Sequence, residues 1–392
     1  MTMKAKVLGV NMVKFKKPGL SDPYEMMAAK AVQGALEDAG IEYHDIEQAY
    51  ASYVFGDSTC GQTALYQVGM TGIPIINVNN NCSSGSTALY MARQAVESGE
   101  VDCALSVGFE EMKPGALGSI WNDRTPPMGW AVERLIELNP DLPEAPLALK
   151  MFGAGGKAYL EKYGANPNIF AKVAVKSRSH AVKNPYSMFN QTLTVEEVMN
   201  APTLFPTLTR LMACPPTCGA AAVIVCSDSF AKKHGISNAV EILGQAMTTD
   251  TNVSYDDPMT LIGTEMTKCA AQQVYEKAGI GPEDVDVVEL HDCFTPNEVV
   301  TYEGLGLCGE GEAEQFINDG DNTYGGKYVI NPSGGLMSKG HPLGATGLAQ
   351  CTELVWQLRG QANQRQVEGA KIALQHNLGL GGACVTTMYR LN

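Results

Sequence analysis

The sequence has few positively charged residues and no long hydrophobic run. Its 28 Lys and Arg residues are outnumbered by 42 Asp and Glu residues, so the formal net charge is −14. Nucleic acids and anionic membrane surfaces attract basic proteins, which argues against either as the main partner. No apolar stretch approaches the roughly 20 residues that cross a bilayer. The sequence predicts a protein without an integral membrane segment, whose acidity mainly serves solubility.

The 11 cysteines lack the short-spaced arrays that bind zinc. Cys214 and Cys218 lie close together, but no second pair complements them, so the sequence predicts no metal site. An odd, dispersed set is typical of reduced thiols in a cytosol-like compartment. No small-residue cleavage site follows the N-terminal segment, and Arg390-Leu391-Asn392 is not a peroxisomal SKL-type ending. These features predict a cytoplasmic protein.

Strand and helix patterns alternate in the first third of the chain. Apolar runs predict buried strands at 46–54, 72–78 and 102–107. Helical spacing of apolar residues predicts helices at 23–39 and 83–99, each ending at or before a glycine. This alternation is typical of α/β proteins.

The middle of the chain has a different composition. Residues 119–216 contain many prolines and no regular strand–helix rhythm, although short helices are predicted at 151–163 and 168–182. A buried strand at 220–227 then resumes the first pattern. The sequence therefore predicts an inserted, mostly helical and loop domain over 119–216.

The last third of the chain repeats the first. Three pairs of segments match in the same order: LEDAGIEYHDIEQAYAS with YEKAGIGPEDVDVVELH (Ala39 and Ala278, 239 residues apart), GSTALYMARQ with GATGLAQCTE (Gly85 and Gly344, 259 apart), and DCALSVG with KIALQHN (Ala104 and Ala373, 269 apart). A period this long is not a solenoid. It predicts two similar halves, 1–118 with 217–235 and then 236–392, with the active site between them.

Cys82 is the first candidate for chemistry. It follows a predicted strand and immediately precedes a helix, in NVNNNCSSGSTALYMARQ. The N–H groups and dipole of a helix start favour an anion, so this position is expected to lower the thiol pKa. Small residues after the cysteine leave room for a substrate. A buried structural cysteine is an equally good interpretation of the spacing alone.

Two histidines and a glycine-rich turn are further candidates. His291 lies in HDCF after a predicted strand, and His341 lies in the loop NPSGGLMSKGHPLGATG that opens a helix. The turn Gly379-Leu380-Gly381-Gly382 connects two strands. A lone histidine or glycine turn is usually structural. The duplicated topology, however, would bring these strand-end loops to face Cys82, which favours a functional role.

These stretches resemble the thiolase superfamily, and most closely the sterol carrier protein x type. Family-like segments run through essentially the whole chain: FGDSTCGQ, TGIPIINVNNN, NNNCSSGSTAL, ELHDCF, DNTYGGK, INPSGG, SKGHPLGATGLAQC and ALQHNLGLGGA. The resemblance implies an α/β fold of two duplicated βαβαβαββ halves. Together they would form a five-layer α-β-α-β-α sandwich carrying the inserted loop domain.

Two motifs depart from the pattern of most thiolases. HDCF stands where most members have an Asn-Glu motif. Asn377-Leu378-Gly379 matches their Cys-x-Gly motif, keeping the glycine but lacking the cysteine. The sterol carrier type is similar in both respects, which implies that Cys293 replaces the missing acid/base thiol. Cys384 lies inside the next strand and is expected to be a core residue.

The resemblance also implies a role for each residue. His341 would accept the thiol proton of Cys82, which then attacks the 3-oxo carbon of an acyl-CoA. Cys293 would protonate the departing enolate, and His291 and His341 would stabilise its oxygen. The backbone N–H groups of Cys82 and Gly379 would form a second oxyanion hole.

Binding partners follow from the same resemblance. Coenzyme A is expected as a co-substrate, with no tightly bound cofactor. Gly379 and Gly381, together with Met151 and Lys157 of the predicted 151–163 helix, are the candidates for contacts with acyl-CoA or CoA. A homodimer is expected, with the region of Cys60 and Asn80 near its interface.

Two other functions stay open. A thiolase-like lyase could cleave a steroid side-chain CoA ester by retro-aldol chemistry with a small partner protein, although such relatives tend to lack the nucleophilic cysteine. A non-catalytic lipid-transfer role is suggested by the family name. Because the sequence stops at Asn392 after the last predicted strand, no appended lipid-carrier domain is expected.

Overall fold

The computed structural model describes residues 4–114, 121 and 123–391. The predicted boundary between 118 and 119 lies outside these residues. The strands are β1 Ala5–Met12, β2 Gln48–Ser52, β3 Ile75–Val78, β4 Cys103–Glu110, β5 Thr203–Phe205, β6 Leu208–Thr209, β7 Gly219–Ser227, β8 Val240–Thr248, β9 Val287–Glu289, β10 Val329–Ile330, β11 Ile372–Gly379 and β12 Ala383–Arg390.

The α-helices of the same residues divide between the two halves and the inserted region. They are α1 Tyr24–Ala39, α2 Cys60–Tyr66, α3 Ser84–Ser98, α4 Gly129–Leu138, α5 Leu147–Tyr163, α6 Asn168–Ala181, α7 Val195–Met199, α8 Asp228–Lys233, α9 Thr264–Ala278, α10 Thr295–Gly304, α11 Ala313–Asn318, α12 Gly335–Ser338 and α13 Leu343–Leu358. None of the described helices has the length and hydrophobicity that a bilayer crossing requires.

Glycines end the repeated helices as the sequence predicts. The residues after α1, α3 and α9 are Gly40, Gly99 and Gly279, with φ angles of 66°, 80° and 69°. Glycine adopts this left-handed conformation without the steric cost of a Cβ, so it stops a helix efficiently. Gly40 and Gly279 lie at corresponding places, 239 residues apart, which supports the internal repeat.

Ten of the described strands form one sheet. Their order is β10-β9-β11-β12-β8-β1-β7-β4-β2-β3. Reading outward from the centre, β1-β7-β4-β2-β3 and β8-β12-β11-β9-β10 have the same sequence of antiparallel and parallel pairings. This repeated strand order is what the three matched sequence segments predict.

The two half-sheets are joined at their central strands. β1 pairs with β8 antiparallel through Lys6 with Glu241 and Val7 with Val240. The two half-sheets therefore form one continuous sheet. β8 was not predicted from the sequence, although this strand provides the junction.

The helices complete the five-layer arrangement expected of the α/β thiolase fold. α3 and α13 pack against each other and against strands of both half-sheets, which makes them the central layer. α1 packs on the outer face of β1 and β7, and α9 packs on β8 and β12. Three buried apolar clusters fill the central and the two outer interfaces.

The inserted region is mainly helical where it is described. α5 and α6 pack against α10, which directly follows the HDCF segment. Gly156 of α5 has no space for a side chain, because a Cβ there would lie 2.7 Å from a side-chain carbon of Pro296. This close packing connects the insertion to the C-terminal half, next to the predicted site.

Candidate active site

Cys82 lies on a tight turn between β3 and α3. Asn81 before it has a φ of 52°, a left-handed conformation that asparagine tolerates better than most residues. The backbone N–H of Ser83 and its hydroxyl both donate to Asn80 O, at 3.2 and 2.9 Å. These bonds hold the turn, and the Cys82 side chain is only partly buried. The thiol is therefore fixed at the start of the helix yet accessible.

His341 and His291 lie beside this thiol. His341 lies two residues before the start of α13, and His291 follows the end of β9. One ring nitrogen of each histidine and the Cys82 sulfur all lie within 4.8 Å of one another. The two imidazole rings are nearly perpendicular, with centroids 5.0 Å apart. The structure thus brings together three residues that are far apart in sequence.

The pKa of Cys82 differs from the sequence-based expectation. Although the Cys82 side chain keeps some contact with solvent, the surrounding protein desolvates its sulfur. This desolvation, followed by the charge of Glu110, raises the pKa of Cys82 to about 12, and the nearby N–H groups of Cys82 and Leu380 offset the increase only in part. The prediction that the helix start lowers this pKa is therefore wrong. Desolvation outweighs the helix dipole here, so Cys82 is a protonated thiol at neutral pH and needs a base.

His341 has the hydrogen-bonding arrangement of a base. Its Nδ1 lies 2.7 Å from the hydroxyl of Thr346, which itself donates to Pro342 O at 3.0 Å. Because that hydroxyl proton is already used, Thr346 accepts from Nδ1–H, and the neutral ring carries its lone pair on Nε2. Nε2 is buried and has no hydrogen-bond partner among the described residues. Burial lowers the pKa of His341 to about 3.

His291 also stays neutral. Burial, followed by the charges of His341 and His376, holds its pKa well below the usual value. Its Nδ1 lies 3.0 Å from the side-chain amide nitrogen of Asn377. Its backbone carbonyl accepts from the amide of Asn297. Ring and backbone are thus both held in place.

Cys293 lies next to His291 and is almost fully buried. Burial, followed by the nearby Cys214, Cys82 and Asp292, raises its pKa well above the usual thiol value. Its backbone carbonyl accepts the N–H of Cys214 at 2.8 Å. Cys214 is a third thiol at this site, whereas its spacing from Cys218 in the sequence singled it out only as a possible metal ligand.

The segment 213–217 holds the two histidine motifs together. Ala213 bridges to Phe294 of the HDCF motif, and Pro216 bridges to His341. The hydroxyl of Thr217 accepts the backbone N–H of His341 at 3.0 Å. This end of the inserted region therefore orients both motifs.

Asp292 explains the second glycine of the INPSGG motif. Its carboxylate accepts the N–H groups of Leu336 and Met337, at 2.7 and 3.3 Å. Gly335 has a φ of 60°, and a Cβ on it would lie 2.2 Å from the carboxylate. Burial, followed by the charge of Glu298, raises the pKa of Asp292 to about 8. The motif packs against the residue next to Cys293.

Glu110 is a buried carboxylate that sequence reasoning missed. It ends β4 and accepts the N–H groups of Val54, Phe55 and Gly344, at 3.1, 2.8 and 3.0 Å. Burial raises its pKa to about 7 although these bonds favour the charged form. The glutamate joins β4 and the loop after β2 to the start of α13.

The glycine-rich turn adjoins both Cys82 and an apolar cavity. Gly379 packs so closely that a Cβ would lie 2.3 Å from Asn80 O. The Leu380 N–H, rather than that of Gly379, is the one whose hydrogen bond lowers the pKa of Cys82. Among the described residues, Asp250 is the one charged residue that lines this cavity. The rest of the lining is apolar side chains and glycines, including Met128, Met151, Met266, Tyr255, Leu261, Ile262, Leu378, Gly379 and Gly381.

Three of the four predicted acyl-CoA contacts, Met151, Gly379 and Gly381, therefore line one cavity. Lys157 does not belong to it. This exposed side chain pairs with Glu161 one helical turn away, at 3.7 Å. Its contact with CoA stays a prediction.

Other singled-out residues lie around the site. Cys60 is buried at the start of α2, and the Asn80 amide donates to Thr87 at 3.1 Å. Cys384 is fully buried in the core, as predicted.

Two family models match the chain in sequence order. The thiolase N-terminal domain covers residues 10–229, and the thiolase C-terminal domain-like family covers residues 244–389.

The chain belongs to the thiolase family.

Relatives of known name agree with this assignment. Sterol carrier protein 2 of Oryctolagus cuniculus is 55% identical over 98% of this chain and 71% of its own length. Non-specific lipid-transfer protein-like 2 of Caenorhabditis elegans is 44% identical over 99% and 96%. Acetyl-CoA acetyltransferase of Methanothermobacter thermautotrophicus is 34% identical over 98% of both chains. The thiolase described here is therefore an acyltransferase of this family.

Solved structures show the same fold. The Ltp2-ChsH2(DUF35) aldolase aligns with a TM-score of 0.84 at 22% identity, over 99% of this chain and 98% of that one. Human mitochondrial 3-ketoacyl-CoA thiolase in complex with CoA aligns with a TM-score of 0.73 at 20% identity, over 100% and 98%. At these identities the likeness establishes the architecture of this thiolase.

Proposed function

We propose that this thiolase transfers an acyl group between a 3-oxoacyl-CoA and CoA through a thioester on Cys82. The observation that carries the proposal is the unpartnered Nε2 of His341, in a cluster whose three reactive atoms lie within 4.8 Å of one another. A thiol that cannot ionise alone beside a buried acceptor is the arrangement that nucleophilic catalysis with general-base assistance requires.

The first step is attack by Cys82. His341 Nε2 takes the thiol proton as the sulfur bonds to the 3-oxo carbon. Both groups are neutral before the reaction, because burial raises the Cys82 pKa to about 12 and lowers that of His341 to about 3. The proton therefore moves only as the new S–C bond forms. The N–H groups of Cys82 and of the Gly379–Leu380 turn would stabilise the oxyanion at the 3-oxo carbon.

The second step is cleavage between C2 and C3. The bonding electrons leave with C2 as a thioester enolate, and the acyl chain remains on Cys82. Cys293 then donates its proton to C2, which releases acetyl-CoA or propanoyl-CoA. A thiol whose pKa burial holds well above the usual value is protonated at neutral pH and can act as this acid. An N–H of His291 would stabilise the enolate oxygen, and protonated His341 would do the same.

The third step transfers the acyl group to CoA. The incoming CoA thiol gives its proton to the Cys293 thiolate left by the second step. CoA sulfur attacks the Cys82 thioester, and the released Cys82 sulfur recovers its proton from His341. Both acid/base groups return to their starting states. The same steps in reverse give Claisen condensation.

The acyl chain is assigned to the small cavity beside the glycine-rich turn, which has a volume of about 10 Å³ and must therefore widen when the chain binds. Met128, Met151 and Met266 contribute flexible, apolar walls next to Gly379. CoA would then enter beneath the inserted region of 119–216. The proposal therefore includes an apolar acyl group, straight, branched or sterol-derived, in lipid metabolism.

A test follows the acyl-enzyme directly. Wild-type protein incubated with acetoacetyl-CoA should gain one acetyl group on the peptide containing Cys82, detected by mass spectrometry. Cys82→Ala should neither gain the group nor form acetyl-CoA when CoA is added, while remaining folded. Cys269→Ala is the matched control because that thiol is exposed. Cleavage by Cys82→Ala would overturn the proposal.

A retro-aldol lyase with a small partner protein is the second candidate. The name of the Ltp2-ChsH2(DUF35) aldolase, a structural neighbour, suggests this chemistry. Relatives of this kind tend to lack the nucleophilic cysteine, so the presence of both Cys82 and Cys293 supports the acyltransferase. Product analysis separates the two functions. A lyase releases a ketone or aldehyde without consuming CoA.

A non-catalytic lipid-transfer role is the third candidate, suggested by the names of the sterol carrier and lipid-transfer relatives. Lipid transfer should be insensitive to alkylation of Cys82. Acyl transfer should be abolished by it. A transfer assay on alkylated protein therefore distinguishes the two roles.

A homodimer is proposed through the outer edge of the N-terminal half-sheet. β3 ends the described sheet on this side, and an edge strand offers unpaired N–H and C=O groups to another chain. Met70 nearby is 77% exposed and Tyr66 is 47% exposed. Met70→Glu should shift the protein toward monomer in analytical ultracentrifugation, whereas Leu20→Glu should not. An unchanged oligomeric state would count against this interface.

A further inference from the structure

Asn377 contacts two parts of the active site without a role in the steps above. It is fully buried near the end of β11. Its side-chain amide nitrogen lies 3.2 Å from Cys82 O and 3.0 Å from His291 Nδ1. One side chain therefore connects the nucleophile's backbone to the ring of the second histidine.

The orientation of the Asn377 amide is fixed by a chain of hydrogen bonds that begins at a backbone carbonyl. The Gln375 amide nitrogen lies 2.6 Å from Gly347 O, which can only accept. That nitrogen also donates to the Ser86 hydroxyl at 2.9 Å. Tyr389 donates to the other end of the Gln375 side chain. Gln375 therefore has its nitrogen directed at Ser86.

Ser86 transmits this orientation to Asn377. Since its oxygen accepts from Gln375, its proton goes to Asn377 Oδ1 at 2.9 Å. The amide nitrogen of Asn377 must then be the atom that meets Cys82 O. The Gly347 and Cys82 carbonyl oxygens at the two ends of this series of hydrogen bonds can only accept. Both therefore require the same orientation of the Asn377 amide. A Cβ at Gly347 would lie 2.1 Å from the Ser86 hydroxyl, so glycine is needed to admit the chain.

The consequence concerns the tautomer of His291. An amide nitrogen can only donate, so His291 Nδ1 must present its lone pair to Asn377. The ring is neutral, because burial keeps its pKa well below the usual value. Its one proton is therefore on Nε2. His341 has the opposite tautomer, with its proton on Nδ1 against Thr346.

We propose that Asn377 is a positioning residue that fixes the Nε2–H tautomer of His291, so that His291 serves only as a hydrogen-bond donor and His341 alone accepts the Cys82 proton. The assignment rests on the proposed acyl transfer for its catalytic meaning. With the two rings locked in opposite tautomers, the Cys82 proton has one acceptor, and the enolate oxygen meets an N–H without any prior proton movement.

The tautomers can be measured in the wild-type protein without an activity assay. The chain has six histidines, and ¹⁵N chemical shifts of the ring nitrogens distinguish a protonated Nδ1 from a protonated Nε2. We expect His291 to show Nε2–H and His341 to show Nδ1–H between pH 6 and 8. A wild-type His291 protonated on Nδ1 would overturn the proposal, whatever reaction the protein catalyses.

Variants then separate positioning from stability. Asn377→Asp keeps the shape but places an acceptor against His291 Nδ1, so the ring should move its proton to Nδ1 or hold two protons. We expect kcat to fall about a hundredfold, the cost of losing one oxyanion donor, with KM changed less than threefold. The pH dependence of kcat should also change, because His291 would now titrate nearer neutrality.

Two further variants keep the test decisive if Asn377→Asp is unstable. Ser86→Ala removes only the orienting hydroxyl, and we expect mixed His291 tautomers with a smaller fall in kcat. Asn184→Asp is the matched control, since that buried amide donates to Ser333 O at 2.8 Å and lies outside this chain of bonds. Unchanged tautomers and kcat in both Asn377→Asp and Ser86→Ala would reject the role of Asn377. If wild-type protein incubated with acetoacetyl-CoA carried no acyl group on Cys82, the proposed acyl transfer would instead be rejected.

Discussion

The two halves of this thiolase have the same strand order, but the ends of their strands have different contents. Cys82 and His341 are 259 residues apart, the same offset as Gly85 and Gly344, and each lies two residues before its central helix. The nucleophile and its base therefore occupy equivalent positions in the repeat. The strand ends around them do not contribute equally.

In the C-terminal half the strand ends leave groups available for chemistry. β9 is followed by His291 and Cys293, and β11 ends at Gly379, where the lack of a side chain lets the turn approach Cys82. In the N-terminal half the positions equivalent to His291 and Gly379 are Ser52 and Glu110, at offsets of 239 and 269.

The N-terminal strand ends are closed by hydrogen bonds to α13. The Ser52 hydroxyl donates to Gly344 O at 2.8 Å, and Glu110 accepts the Gly344 N–H at 3.0 Å. A Cβ on Gly108 would lie 2.1 Å from Gly344 O, so no space remains. The two halves thus use one backbone arrangement for different purposes. It supports catalysis at the C-terminal strand ends, where polar groups are available for chemistry, and stability at the N-terminal strand ends, where polar groups bond to α13. Substitutions in the two sets of strand ends should differ accordingly.

The largest expected effect comes from removing the base. His341→Ala leaves Cys82 with a pKa of about 12 and no acceptor, so kcat should fall about 10³- to 10⁴-fold, the upper range for general-base catalysis. Because thiolate must then form by itself, the remaining kcat should rise tenfold per pH unit above pH 8, unlike that of the wild type. Steady-state rates from pH 7 to 10 measure this.

The control for that loss is another buried histidine. His180 contacts Asn331 O and Thr323 and lies outside the cluster of Cys82. His180→Asn should lower stability but keep the wild-type pH profile. If His341→Ala instead kept a flat profile with modest loss, His341 would not be the base.

The second effect is loss of the acid. Cys293→Ala should slow carbon–carbon cleavage about 10²- to 10³-fold, because no group remains to protonate C2 of the enolate. Exchange of the C2 protons of acetyl-CoA with deuterium, followed by mass spectrometry, isolates this step. The equivalent position in the N-terminal half is Val54, which has no ionisable group.

Cys214→Ala is the matched control because its N–H donates to Cys293 O. It should retain proton exchange within about threefold of the wild-type rate. Loss of exchange in Cys214→Ala, with little change in Cys293→Ala, would transfer the acid role to Cys214.

Much of the fold and the reacting residues could be predicted, because both depend on local sequence. Apolar periodicity and C-terminal glycines indicate the repeated strands and helices, and the motifs around Cys82, His291, Cys293 and His341 indicate the site. β8 was missed. The pKa of Cys82 was predicted in the wrong direction, since it depends on burial by distant segments.

The partners that orient the site could not be predicted. Asn377 donates to a carbonyl 295 residues away, and Glu110 accepts from an N–H 234 residues away. Only the folded chain brings these atoms together. Glu110 does share the repeat position of Gly379, and that correspondence is the one sequence signal that could have singled it out.

A smaller effect is expected at Glu110, and it concerns stability. Burial raises its pKa to about 7 from the usual 4.5, so the folded protein holds this proton more tightly than the unfolded chain. Its contribution to the free energy of unfolding is complete below pH 4.5 and is lost as the pH rises through about 7. From pH 4.5 to 8 the wild type should lose up to about 3 kcal/mol relative to Glu110→Gln.

Urea denaturation of both proteins across this pH range measures the difference. Glu47→Gln is a control, because that carboxylate accepts N–H groups near the other end of β4, on an exposed part of the surface. A difference between wild type and Glu110→Gln that stays constant with pH would show that Glu110 is ionised throughout.

The smallest expected effect is that of metal removal. The Cys82 sulfur and the two histidines are close enough to hold an ion, but zinc sites normally have four ligands at 2.0–2.3 Å, and a cysteine binds zinc as its thiolate. Burial raises the Cys82 pKa to about 12, which disfavours that thiolate. Treatment with a chelator should therefore leave kcat within twofold, and added Zn²⁺ should inhibit reversibly by capturing the thiolate. The prediction would be wrong if the protein contained stoichiometric metal, lost activity when the metal was removed and regained it when the metal was returned. That outcome would indicate metal catalysis at this cluster instead of covalent catalysis.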